Sequence, residues 1–447
     1  MSVYKDFRDF LGKLENVNEL KRITKEVDPI FEISAYIRKT SDVKGPAFLF
    51  ENVKGFEGWC FSGGLYATRK KMTLALECDN ESQLMWKYRD GILHPIEPKV
   101  MSDGECKEVI LKGDDIDLRK IPIAQHNEKD AGQYIISAVE IANDPETGAR
   151  LVGIHRLQVR AKNRLAFWGP AERRIGRAFL KAEDKKKPLE IAIVLGNDPT
   201  LDLASQASVP HTVDKVAIAG GLRKSPLELV QCETVDLQVP RHAEIVIEGK
   251  ILPDSREKEG PFGEYTGCYS GTTNSPSIEI TAITMRHDRI MHTVNTGVPP
   301  SENTNMTLPT AMESLYRAAS TACPEVRNVN MSGLFTALIS IKKRHEGEPY
   351  NIMATVFGLH NYAKSCYVFD EDIDIFDPRD VEWAVQTRMQ PHKNIHIFPI
   401  MVGAPLDPSA PIRRHTSKVG YDCTISLSAD KSAFEKTRVP GIEKVSW

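Results

Sequence analysis

Residues 151–168 read LVGIHRLQVRAKNRLAFW, and this pattern decides the central fold. Leu151 to Val159 reads as a strand, Ala161-Lys162-Asn163 as a polar turn, and Arg164 to Trp168 as a return strand, which is a hairpin. Other strand-like runs surround it. Tyr134–Ala142 precedes the hairpin, and Ile191–Leu195, Leu229–Cys232, Glu244–Glu248 and Ser277–Thr284 follow it. A single helix is predicted over Ala171–Ala182. Many strands with few helices predict a β-barrel or sandwich.

The flanks have a different texture. Residues 4–24 predict a helix, with Phe7, Phe10, Leu11 and Leu14 at helical spacing. Ala47–Phe50 and Trp59–Ser62 read as short buried strands, and Arg69–Leu76 and Ser82–Tyr88 as helices. Beyond about 297, Asn305–Thr321 is predicted helical, and Leu338–Ile341, a stretch within Met353–Leu359, and Ser365–Phe369 are predicted strands. Pro378–Gln390 reads as a helix with proline near its start. The expected class is therefore α+β and multidomain: an N-terminal α/β domain over 1–118, a strand-rich domain over 119–296 and a C-terminal α/β domain over 297–447.

Bulk properties narrow the function. At 447 residues the chain is too long for one compact core, and 41% hydrophobic with 27% charged residues is ordinary globular composition. A net charge of −3 points to no nucleic-acid or membrane partner, and the run Lys185-Lys186-Lys187 is short enough to be a solvated helix end. None of the eight cysteines has CxxC spacing, which fits free thiols in a reducing compartment. No apolar h-region opens the chain and no apolar run approaches the ~20 residues of a membrane span, so the expected location is cytoplasmic.

Three segments carry chemistry. In Glu259-Gly-Pro-Phe-Gly-Glu264 two carboxylates are separated by residues that break regular structure. Neither a strand nor a helix brings positions five apart together, but a bulged loop can. Two acids held close cannot both ionise easily, so one becomes a candidate general acid. Spacing alone also fits a surface turn with solvated acids. Arg156 shares a strand face with Val152 and Ile154, and an arginine on an apolar face needs a carboxylate. An internal salt bridge would satisfy it equally. Glu233 and Asp236 are candidate oxygen ligands for a cation, or ordinary surface acids. There is no GxGxxG, GxxxxGK[ST], HExxH or GxSxG, and His392 and His396 sit where a loop enters a strand, without metal geometry.

Taken together, these segments resemble the UbiD family of prenylated-flavin-dependent (de)carboxylases. The matching pieces are GIHR at 153–156, QCETVDLQVP at 231–240, AEIVIEG at 243–249, EGPFGEYTGCY at 259–269, TGVPPSEN at 296–303, YAKSCYVFDEDID at 362–374, WAVQTRMQP at 383–391 and SKVGYDCT at 417–424. The resemblance implies a central split β-barrel that binds prenylated FMN, supplied by a flavin prenyltransferase, and a C-terminal domain that builds a homo-oligomer, a dimer or hexamer. It implies loss of CO2 from an aromatic or α,β-unsaturated carboxylic acid, with the cofactor taking up the electrons left behind. Arg156, Glu259 and Glu264 match the family's catalytic set, with Glu264 as general acid. The implied cofactor-binding residues are Val152, Gly153, Ile154, His155, Arg156, Ala171, Glu172, Ser205, Gln206, Glu233 and Lys364. The family's divalent metal, usually Mn2+, is held by Asn, His and Glu. Here Glu233 is the Glu, while Leu151 and Glu172 occupy the Asn and His positions, leaving Glu233 and Glu172 as implied ligands, with K+ a further candidate ion. The competing expectations are a carboxylase subunit of a larger complex and a non-catalytic flavin-binding subunit.

Overall fold

The structure is a computed structural model that describes residues 4–445. It divides into two compact units, residues 1–313 and 314–447, with the boundary inside the helix Glu302–Ala322. The architecture is α+β and multidomain, as the sequence pattern predicts.

In the first unit a four-stranded sheet runs in the order Leu20–Ile23, Ala47–Phe50, Cys60–Gly63, Ile290–His292. The predicted 4–24 helix is shorter than expected: it spans Phe7–Asn16 and buries Phe7, Phe10, Leu11 and Leu14. Asn18 then turns the chain through the left-handed region, and Leu20 begins a strand.

In the strand-rich region Glu228–Gln231 and Gln238–Pro240 join Lys99–Val100 in a separate small sheet, while most strands form one antiparallel sheet. Its path runs Tyr134–Ile135, Leu157–Ala161, Arg164–Phe167, Thr273–Met285, Ile245–Glu259, Leu189–Leu195, Val139–Asn143, Arg150–Gly153, with Val109–Lys112 joined to Thr273–Met285. The hairpin forms where expected, with Leu165 opposite Val159. The long Leu151–Val159 strand does not. It splits into Arg150–Gly153, at the far end of the path, and Leu157–Ala161, second from the other end. Laid flat, those strands would be about 29 Å apart at the usual strand spacing. The link between Gly153 and Leu157 spans roughly 14 Å at most. The sheet must therefore curl back on itself, leaving a split that residues 154–156 cross. A register shift between Ile251 and Arg256 bends the longest strand and aids the curl. Tyr134–Ala142 likewise breaks into two strands, and the helix predicted from Ala171 begins at Arg174.

The second unit holds a five-stranded sheet ordered Val326–Ser332, Thr336–Ile341, Ser365–Asp370, His415–Cys423, Ile395–Val402, parallel at its centre. The strand expected within Met353–Leu359 is instead part of the helix Glu348–Leu359. Ile352, Met353, Val356 and Phe357 are among its buried positions, a helical repeat that outweighs the β-propensity of Val and Phe. Among the described residues no helix is long and apolar enough to cross a membrane.

One buried contact ties the N-terminal segment to the barrel side of the first unit. The Tyr66 hydroxyl donates to Asp202 at 2.9 Å and the Asn197 amide donates to it at 3.2 Å. Burial, assisted by the charge of Asp198, pushes the Asp202 carboxyl up to about 8 despite those donors. Folding therefore takes up a proton at Asp202 between its unfolded value and pH 8, so its stabilising contribution is complete below about pH 4 and is lost as pH rises toward 8. Asp202→Asn is expected to flatten this part of the stability profile, whose slope is at most about 1.4 kcal/mol per pH unit. Urea midpoints from pH 5 to 8 that fall equally in both proteins would assign the slope to other groups.

Candidate active site

The loop after Glu259 is built so that two carboxylates can meet one arginine. Gly260 has φ +87°, and a Cβ there would lie 2.5 Å from the Gly271 carbonyl oxygen. The Gly260–Pro261 bond is cis. The Gly260 N–H donates to the Tyr134 hydroxyl at 3.1 Å, the Gly263 N–H donates to Asp130 at 2.8 Å, and the Thr296 hydroxyl donates to the Gly263 carbonyl at 2.6 Å. These bonds turn the chain so that Glu264 comes back beside Glu259.

Arg156 lies in the three-residue link across the barrel split rather than on a strand face, which corrects the expected placement. Its Nε and Nη2 donate to the two oxygens of Glu259 at 2.7 and 2.8 Å, and its Nη1 donates to Glu264. The guanidinium also lies over Trp168 and Phe262, 4.5 and 5.1 Å from the ring centroids. Exposure is 6% for Arg156, 0% for Glu259 and 7% for Glu264, so all three are desolvated and the surface-turn alternative for the two acids falls away. One cation faces two carboxylates in a setting where an unpaired charge is costly. Burial, then the charge of Glu259, pushes the nearby Tyr134 phenol well above its ordinary range, so it stays protonated.

The other expected site residues fall into separate groups. Val152 and Gly153 end the strand Arg150–Gly153, and Ile154, His155 and Arg156 form the link. His155 is buried, with Nδ1 3.0 Å from Glu140. Ser205 is buried at the end of the helix Pro199–Ala204, where its carbonyl accepts a bond from Lys215, and Gln206 is half-buried. Ala171 and Glu172 are exposed ahead of the helix Arg174–Asp184. Lys364 belongs to the second unit and donates to Asp407 and Ser409 at 2.7 and 2.6 Å. Sequence reasoning missed Trp168, Phe262 and Lys215. Trp168 and Phe262 adjoin the quoted motifs and could have been noticed, whereas nothing in the local sequence marks Lys215.

A buried imidazole nitrogen without a partner, His155 Nε2, sits among the residues expected to hold a flavin, so that side of the site fits a polar ligand. The residues expected to hold a divalent metal do not fit one. Lys107 and Lys112 each pair with Glu233 at 2.8 Å, and the two lysines hold its carboxyl below the ordinary range. Leu151 is packed in the core and Glu172 is exposed. Among the described residues no three His, Cys, Asp or Glu side chains gather to bind an ion.

Three family models match the chain in order: the 3-octaprenyl-4-hydroxybenzoate carboxy-lyase (UbiD) N-terminal domain over 11–85, its Rift-related domain over 99–299 and its C-terminal domain over 304–423. An anhydromevalonate phosphate decarboxylase from Methanothermobacter thermautotrophicus is 34% identical, over 95% of this chain and 98% of that protein. The UbiD-class enzyme HmfF from Pelotomaculum thermopropionicum, solved with FMN, is 40% identical with a TM-score of 0.93 over 99% of both chains. The 3,4-dihydroxybenzoic acid decarboxylase AroY from Klebsiella pneumoniae, solved in its apo form, is 30% identical with a TM-score of 0.89, over 98% of this chain and 97% of that one.

Because Gly260 combines a left-handed backbone with contact to a carbonyl, Gly260→Ala is expected to destabilise the protein by roughly 1–3 kcal/mol. Urea unfolding measures this, and an unchanged midpoint would show that the loop relaxes without a left-handed residue.

Proposed function

The chain belongs to the UbiD family of carboxy-lyases, and from that premise we propose that it removes the carboxylate of an aromatic or α,β-unsaturated acid as CO2, reversibly and without oxidation, using prenylated FMN. The observation that carries this reading is the buried contact of Arg156 with both Glu259 and Glu264. Loss of CO2 from an unsaturated carbon leaves an electron pair that no side chain can delocalise. Prenylated FMN, when bound, supplies that electron sink. The FMN complex of the HmfF neighbour supports a flavin here, and a flavin prenyltransferase would supply the prenylated form.

The geometry suggests a division of labour. Glu259 grips two N–H groups of the arginine fork and is fully buried, so it positions Arg156. Glu264 holds one N–H and is slightly exposed, so it is the acid free to move and to deliver a proton to the carbon that CO2 leaves. Arg156 orients the departing carboxylate. Val152, Gly153, Ile154, His155, Ala171, Glu172, Ser205 and Gln206 belong to the flavin-holding segments, whereas Lys364, in the second unit, is engaged by Asp407 and Ser409. A homodimer-based assembly accords with the evolved dimeric form known for the HmfF neighbour.

A second reading has one observation in its favour. A structural neighbour, the vanillic acid decarboxylase of Sedimentibacter hydroxybenzoicus (30% identical), is a complex whose VdcD component is named separately. This chain would then work beside a second subunit, with the same three residues, and a copurifying small chain distinguishes that case. The non-catalytic alternative is disfavoured because the arginine and both acids are in place.

The test is to co-express the chain with a flavin prenyltransferase and weigh the released cofactor. A flavin heavier than FMN by one prenyl unit is expected, with CO2 release from a panel of aromatic and acrylic acids. Glu264→Gln should keep the cofactor and lose about 10²–10⁴-fold in turnover, the usual contribution of a positioned acid. Normal turnover in that variant would remove Glu264 from the chemistry, and plain FMN with no CO2 release from any acid would sink the decarboxylase reading.

A further inference from the structure

Basic residues meet at the N-terminal ends of two helices in the first unit. Arg173 caps the helix Arg174–Asp184 and Lys215 opens the helix Lys215–Arg223, and neither helix has an acid in the first turn that follows its cap. A helix N-terminus already carries partial positive charge, so basic side chains there work against the dipole and favour a bound anion. Lys215 is 7% exposed, and its ammonium donates to the Ser205 carbonyl with no carboxylate partner among the described residues. Burial, then Arg174 and Arg173, pull it down to about 7. Its neighbour Asp214 is already engaged, capping the Val216 N–H and pairing with Arg150. Arg174 is committed to the carbonyls of Val209, Pro210 and Val213. Arg173 makes no ion pair among the described residues. A buried cation group without a counter-ion is costly, and every native structure that keeps one calls for an account of what balances it.

A second observation is independent of the helix ends. His155 is 7% exposed, and its Nδ1 lies 3.0 Å from Glu140. Glu140 is fully buried, and burial pushes its carboxyl well above the ordinary range. The other ring nitrogen, Nε2, is buried and has no partner. After burial, Arg173 and Lys215 are the charges that hold His155 neutral, and the helices Arg174–Asp184 and Lys215–Arg223 both pack against the strand Arg150–Gly153 that leads to it. A buried ring nitrogen left without a partner, in a residue under the charge of two cations, is accounted for by an anionic ligand that accepts from it and balances them.

We propose that Lys215, Arg173 and His155 form a phosphate-monoester site that takes the flavin phosphate directly, with no divalent metal between protein and ligand. The identity of the ester rests on the flavin reading above, while the anion site stands on its own geometry. The carboxylate expected to anchor a metal, Glu233, is instead neutralised by Lys107 and Lys112, so direct cationic contact replaces a bridging ion.

The test uses the full-length apoprotein with FMN, riboflavin and inorganic phosphate as probes, in EDTA and with added Mn2+. Flavin fluorescence and calorimetry give the affinities for wild type, Lys215→Met, Lys215→Arg and Arg173→Gln. FMN is expected to bind about tenfold or more tighter than riboflavin in EDTA, with a change under about twofold on adding Mn2+. Lys215→Met should remove most of that advantage without weakening riboflavin, and Lys215→Arg should retain it. An unchanged FMN-to-riboflavin ratio in Lys215→Met, or FMN binding that requires Mn2+, overturns the proposal. If neither flavin binds, phosphate decides: binding to wild type but not to Lys215→Met keeps the anion site and removes the flavin reading, and no binding to wild type overturns the site. Should Lys215→Met fail to fold, Arg173→Gln takes its place: a reduced FMN-to-riboflavin ratio supports the site, and an unchanged ratio overturns it.

Discussion

Arg156 cannot leave its place between Glu259 and Glu264 without stranding two buried carboxylates. The fork of the guanidinium satisfies both oxygens of Glu259 and one contact to Glu264, while Trp168 and Phe262 cover its faces. Much of the surrounding architecture serves that contact. The curled sheet brings its ends close enough for residues 154–156 to cross between them. Gly260 gives the loop the backbone freedom to turn, and Asp130, Tyr134 and Thr296 hold it turned. A lysine in the same position could not reproduce the arrangement, because a point charge lacks the planar fork that grips one carboxylate and reaches a second.

The same short link separates two electrostatic regions. His155 and Arg156 are consecutive, yet His155 is held neutral by burial, Arg173 and Lys215, while Arg156 is drawn to two acids. His155 meets Glu140 while Arg156 meets Glu259 and Glu264, so each of the two neighbours has its own environment. An elongated ligand with an anionic end can therefore lie with its charge at the helix ends and its reactive part toward the acids.

How much of this was legible in the sequence depends on the range of the interaction. The hairpin, the buried helix face of Phe7 to Leu14 and the α+β order follow from local periodicity, and they form as read. The residues Arg156, Glu259 and Glu264 stand out because glycine and proline between two acids, and an arginine among apolar residues, are locally conspicuous. The break at 154–156 was not legible. The run Leu151–Val159 satisfies strand periodicity throughout, and only the closure of the sheet interrupts it. Lys215 was invisible for a related reason: its burial is a product of tertiary packing, in which its ammonium meets the Ser205 carbonyl ten residues away. The fate of Glu233 was equally hidden, since its lysine partners lie more than a hundred residues away.

Under the decarboxylase reading, the asymmetry between the two acids also bears on when the proton becomes available. A substrate carboxylate that seeks Arg156 meets a guanidinium whose fork is taken by Glu259, so it can compete only for the donor held by Glu264. Once displaced, Glu264 would stand beside the substrate, in reach of the carbon that CO2 leaves. Substrate binding thus prepares the acid at the place where the new C–H bond must form. When CO2 departs it carries no charge, and the guanidinium is again free to receive the Glu264 carboxylate that has just given up its proton. The single-donor contact in the set, rather than the two-donor fork, is what lets the site turn over.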